Sequence, residues 1–355
     1  MKLKQITTAL DVEGIKYKML DAGGGKSIVV TERGGRIFGV YTGEEDEGIF
    51  WVPQCFEDTK LFADYLESGA WNMGGDRIWI APELQFSVKD RKKFWETLKT
   101  PTAVDPGNWH LTEENDGVVL RQDLRLQAAV IAQGEISLSV KRTVRRAENP
   151  LRKRSDFSNL MDGLNYSGYE QLLEISGSGD SSIAAECWNL LQVIPGGNIY
   201  IPMYTPSRGV DYYEPATNFE TLTERCVTLK STGINRYKVG YKAADVMGRI
   251  AYAFRRKDDC CCLLVRNFPN NPSALYREEP PLMEGENGFS VHVYNDDGNS
   301  GSFTEIECNL QSIGVPTGYS LSADRVSTWV FYGMEDKLNA VAQRLLGFGA
   351  LKYEA

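Results

Sequence analysis

The segment Trp71-Asn72-Met73-Gly74-Gly75-Asp76-Arg77-Ile78-Trp79-Ile80-Ala81-Pro82-Glu83 gathers side chains suited to one kind of ligand. Trp71 and Trp79 offer flat apolar faces, while Asp76, Arg77 and Glu83 offer planar charged groups. A sugar presents both complements, C–H faces for stacking and hydroxyls for hydrogen bonding. The Arg77 guanidinium is a fixed fork of donors that a lysine could not copy, and Asp76 could orient it or accept from a hydroxyl. The same residues also fit a second reading, a buried Trp strand with an Asp–Arg ion pair stapling a turn.

The elements that must position these groups are strands. Gly74 and Gly75 permit a sharp bend because no Cβ obstructs it. Ile78 and Ile80 then alternate with Arg77 and Trp79 at the period of a strand, and Pro82 ends it. Long alternating runs follow, among them 118–122 and 136–144, separated by the turns Asn115-Asp116-Gly117 and Gln133-Gly134-Glu135. Probable strands continue at 169–176 and 184–194, where Trp188 and Asn189 could add a stacking surface and an amide; the alternative for Trp188 is a core position. Helices are predicted over 58–68 and 336–346, and 6–10 could form a short one. Tyr200, Tyr204, Tyr212 and Tyr213 fall in an irregular, proline-containing run, 195–215, that reads as a rim or lid. Glu278, Glu279, Glu284 and Glu286 read as an acidic, solvated loop, and Asp296-Asp297-Gly298-Asn299 as a hairpin turn. The expectation is one large antiparallel β-sandwich over residues 1–355.

Composition narrows the partners. A net charge of −9 argues against nucleic acid, and no apolar run approaches the ~20 residues that span a membrane. The start, Met1-Lys2-Leu3-Lys4-Gln5, leads into polar sequence without the apolar core of a signal peptide. Seven cysteines without a C-x-x-C pair fit reduced thiols and a cytoplasmic location, with no zinc framework. Only two histidines, His110 and His292, occur, so any site needing three imidazoles is excluded. No metal and no cofactor is expected; the expected partner is a small-molecule carbohydrate.

Gly34-Gly35-Arg36-Ile37-Phe38-Gly39, followed by Ile49-Phe50-Trp51-Val52, resembles the opening of the galactose mutarotase-like, or aldose 1-epimerase-like, superfamily. Gly74 to Glu83 is similar to a motif in uncharacterised branches of it. Val291-His292-Val293-Tyr294-Asn295-Asp296 and Phe303-Thr304-Glu305-Ile306-Glu307 resemble the strand pair that carries its catalytic glutamate. The resemblance runs over roughly residues 30 to 333 and implies an all-β, antiparallel β-supersandwich with few short helices and a concave sugar-binding face. It also implies proton transfer at the anomeric carbon, with a glutamate base on the anomeric hydroxyl and a histidine acid on the ring oxygen. Glu307 is the better match to that base and Glu305 the second. The mid-chain histidine of those enzymes has no counterpart in Ala184-Ala185-Glu186-Cys187-Trp188-Asn189.

His292 is the remaining imidazole on a predicted strand, with Tyr294 on the same face. Phe303, Glu305 and Glu307 share one face of the next strand. If the polar faces align, His292 and Glu307 line one cleft, with His292 or Tyr294 as the acid. The function expected is carbohydrate binding with mutarotase-like chemistry. The alternatives are a binding protein that has lost the acid, and a lyase or hydrolase on the same fold.

Overall fold

A computed structural model describes residues 1–115 and 117–354. Asp116, the middle of the expected 115–117 turn, lies outside the described residues.

Two antiparallel sheets carry the molecule. The nine-stranded sheet runs, in spatial order, Tyr17–Gly23, Lys26–Thr31, Ile37–Tyr41, Asp76–Ala81, Glu186–Val193, Thr304–Asn309, Phe289–Asn295, Tyr237–Lys242 and Val210–Asp211. The ten-stranded sheet is built around the long strands Gly117–Ala128, Gly134–Arg146, Asn165–Gly179 and Leu321–Gly333. Strands distant in sequence become neighbours: Asp76–Ala81 pairs with Glu186–Val193, which pairs with Thr304–Asn309. The fold is an antiparallel β-supersandwich, and the alternating sequence pattern is its cause.

Alternation assigns each strand two faces. Ile78, Leu191, Ile306 and Val293 of the nine-stranded sheet point inward and pack with Leu120, Val140, Leu264 and Val330 of the other sheet in one buried core. The outer face of the ten-stranded sheet is partly covered by the C-terminal helix Glu335–Leu346, whose Leu338, Val341 and Leu345 meet Leu263 and Val265. Cys261 is buried in this region and Cys262 on the opposite face, in the core between the sheets. The helix Thr59–Glu67 starts at Asp58, whose carboxylate accepts from the amides of Lys60 and Leu61 and so satisfies donors that a helix start leaves free. Among the described residues, no helix is long and apolar enough to cross a membrane.

Between the sheets lies a polar cluster centred on Asp76. Asp76 Oδ1 accepts from Arg142 Nη2 at 2.7 Å and Asn189 Nδ2 at 2.6 Å. Its Oδ2 accepts from the Tyr169 hydroxyl at 2.7 Å and Gln171 Nε2 at 2.9 Å, with Arg266 Nη2 3.4 Å away. Burial alone would raise the Asp76 carboxyl, but Arg266, Arg142 and the hydrogen bonds bring it below its ordinary value. The group is therefore an ionised clamp joining the two sheets.

Candidate functional site

The outer face of the nine-stranded sheet floors a cavity of about 510 Å³. Register explains which side chains reach it. Arg77, Leu190, Glu307 and His292 form one transverse row, and Gln192, Glu305, Tyr294 and Lys238 form the next. Trp79, Trp188 and Asn309 form a third. All three rows point outward. The turn before Arg77 requires its glycines: Gly74 and Gly75 have φ of +80° and +72°. A Cβ at Gly74 would lie 2.3 Å from the Trp51 carbonyl oxygen, and one at Gly75 2.4 Å from that of Ile37.

Arg77 sits at the centre of the floor. Its Nη2 pairs with Glu305 Oε1 at 2.7 Å, and its guanidinium lies 4.3 Å from the Trp79 ring centre and 5.4 Å from that of Trp71. Gln192 Nε2 also donates to Glu305 Oε1, at 2.8 Å. Trp188 Nε1–H donates to Glu307 Oε2 at 2.9 Å, while Glu307 Oε1 is buried without a partner among the described residues. Burial pushes the Glu307 carboxyl well above the ordinary carboxylate range; Glu305 and Glu83 add to this, and Lys238 and Arg77 oppose it.

Lys238 crosses from the neighbouring strand to Glu83, with Nζ 2.9 Å from Glu83 Oε2 and 4.5 Å from the Trp188 ring centre. Burial disfavours its charge, yet Glu83, Glu307 and Glu278 hold it above its ordinary value, so it stays an ammonium. The Tyr213 hydroxyl donates to the same Glu83 oxygen at 3.1 Å. On the other wall, Asp105 Oδ2 accepts from Arg36 Nη2 at 2.6 Å and Trp79 Nε1 at 2.8 Å. Burial raises the Asp105 carboxyl, with Arg36 and Arg77 opposing.

The structure brings Trp71, Arg77, Trp79, Glu83, Trp188, Tyr294, Glu305 and Glu307 to this one cavity. It does not bring Asp76 or Asn189 there. Each precedes or follows a lining residue on its strand and so faces the opposite way, into the clamp between the sheets; Asn189 donates to Asp76 and to the Arg77 carbonyl.

His292 shares the row of Glu307 but is sealed off. Gly240, opposite it, has no side chain, and the Tyr212 ring occupies the vacated space. The Tyr212 hydroxyl lies 3.1 Å from His292 Nε2. Burial, with Lys238 nearby, lowers the imidazole well below its ordinary value, so it is neutral.

Glu278 and Glu279 are buried rather than solvated: Glu278 accepts from the Glu83 amide at 2.7 Å, and Glu279 pairs with Arg91. The 195–215 run is less irregular than its composition suggests, holding the strands Asn198–Pro202 and Val210–Asp211, and of its four tyrosines Tyr213 alone lines the cavity. Asp296 folds a turn, its Oδ2 accepting from the amides of Gly298, Ser300 and Ser302. His110 opens a strand and is exposed.

A family profile described as "Family of unknown function (DUF6786)" matches residues 16–352. The chain belongs to this family. Solved structures similar to this DUF6786 chain include a protein of Escherichia coli K12 provisionally assigned as an aldose 1-epimerase, at 9% identity and a TM-score of 0.48, covering 89% of this chain and 99% of that one. Another is a galactose mutarotase related enzyme from Lactobacillus acidophilus, at 9% identity and a TM-score of 0.45, covering 90% and 98%. A galactose mutarotase-like protein from Clostridium acetobutylicum stands at 10% identity and 0.45, covering 90% and 98%. Their names are those of the group that the sequence motifs resemble. No curated protein sequence matches the DUF6786 chain. At such identities, activity must be argued from the site itself.

Lys238, Asp105, Trp95 and Arg236 also line the cavity, and none stood out in the sequence. Lys238 carried a weak signal, as a lysine within the apolar strand Tyr237–Lys242. Trp95 and Asp105 lie in 91–106, where no periodicity marks a face.

Proposed function

We propose that the cavity binds a carbohydrate and that Glu307 exchanges a proton with the hydroxyl at its anomeric carbon. Three tryptophans and a paired arginine form a floor suited to C–H faces and vicinal hydroxyls. The observation that carries the chemical half is the state of Glu307: one carboxyl oxygen is held by Trp188 Nε1–H, and the other is buried and unpartnered at the cavity. A carboxyl raised by burial holds its proton more tightly than a free one, which suits it to exchange a proton with a sugar hydroxyl. Lys238 supplies fixed positive charge beside it. Ring opening also needs a donor at the ring oxygen, and among the expected acids only Tyr294 lines the cavity.

The second reading is sugar binding without turnover. One observation favours it: His292, the one imidazole near Glu307 in the sheet register, is covered by Tyr212. Anomer exchange followed by NMR, beside a binding titration of the same sugars, separates the two.

A further inference from the structure

We propose that the ligand is a glycan of at least two sugar rings rather than a free monosaccharide. This rests on the carbohydrate reading of the cleft. The cavity holds two separate aromatic surfaces. The floor is the chain Trp71–Trp79–Trp188, with ring centres 4.9 and 5.7 Å apart. The mouth is Trp95, packed on Tyr213 at 4.7 Å and on Phe94 at 4.9 Å. Floor and mouth differ in exposure: Trp79 and Trp188 are 7% and 2% exposed, whereas Trp95 is 52% exposed.

Among the described residues, Trp95 is the exposed aromatic ring that lines the cavity. Trp95 is also pinned: the Arg236 guanidinium lies 4.3 Å from its ring centre, and Arg236 Nε is in turn 2.9 Å from Glu214 Oε2. A surface fixed before the ligand arrives loses little freedom on binding. Size agrees. The cavity, of about 510 Å³, is lined by both surfaces. A single hexopyranose cannot cover the floor beside Glu307 and the Trp95 ring together. One ring therefore lies on the floor beside Glu307 and the next stacks at Trp95.

The test is a glycan array carrying mono-, di- and trisaccharides, probed with the full chain, followed by titration of each hit and of its reducing-end monosaccharide. The wild type should bind the oligosaccharide about tenfold or more tighter than the monosaccharide. Trp95→Ala should remove that advantage while leaving monosaccharide affinity within about twofold, and Trp95→Phe should keep most of it. Equal affinity for the two ligands, or an equal loss on both in Trp95→Ala, overturns the two-ring proposal and leaves the carbohydrate reading standing. Binding to no saccharide overturns the carbohydrate reading, and the two-ring proposal with it.

Discussion

Trp188 and Glu307 lie on adjacent strands, and the indole Nε1–H of one donates to the carboxyl Oε2 of the other at 2.9 Å. The bond fixes one oxygen and leaves Oε1 as the carboxyl atom without a partner. The ring that orients the carboxyl also belongs to the aromatic floor. The proposed acid–base group and the proposed stacking surface are therefore joined by this hydrogen bond.

Asp76 is expected to be structural and not a ligand-binding group. Asp76→Asn removes the anion shared by Arg142 and Arg266, leaving buried guanidinium charge uncompensated, and should cost about 3–5 kcal/mol of stability. Denaturant unfolding measures the loss. Sugar affinity of the protein that remains folded should stay within about twofold, given the distinct faces of Asp76 and Arg77.

Stability should fall as pH rises from the acid side through neutrality. Burial raises Glu186 to about 7 and Glu278 to about 8. A carboxyl raised on folding holds its proton more tightly in the folded chain. Its contribution is full below the unfolded value of about 4.3 and is lost as pH passes the folded value. The slope is at most about 1.4 kcal/mol per pH unit for each group. Thermal unfolding between about pH 5 and 8 should show Tm declining, and Glu278→Gln, which has no proton to lose, should flatten the decline. A Tm that rises across this window would contradict the assignment.

His292 should be dispensable for proton transfer. The Tyr212 ring separates it from the cavity, and burial keeps it neutral. In folded His292→Asn protein, any anomer-exchange rate should stay within about threefold of wild type, well short of the ~10²–10⁴-fold loss expected for a direct acid. A loss of that larger size would place the imidazole in the reaction.

The architecture was legible because alternation at period 2 runs through segments such as 118–122 and 136–144, which lie within the long strands Gly117–Ala128 and Gly134–Arg146. The stretch 71–83 was legible because its glycines, aromatic rings and proline each have a local meaning. The same alternation separates Asp76 from Arg77 and Trp188 from Asn189, so one member of each pair had to leave the site; residue type suggested both, and geometry keeps one. The fate of His292 turned on Gly240 and Tyr212, which lie far from it in sequence and carry no signal of their own. Glu278 and Glu279 looked solvated because their partners, the Glu83 amide and Arg91, are distant in the chain. Lys238 is defined by its pairing with Glu83 across 155 residues, a relationship no local pattern encodes.

The most direct test of the central claim compares wild type with Glu307→Gln by NMR exchange spectroscopy, using the sugars each protein is shown to bind. Gln keeps the shape and the acceptor for Trp188 but can neither take nor release the proton. Wild type should speed anomer exchange above the buffer rate, and Glu307→Gln should lower that enhancement by about 10²–10⁴-fold with affinity little changed. Sugar binding by wild type with no exchange above the buffer rate, or full exchange by Glu307→Gln, would contradict the role given to Glu307.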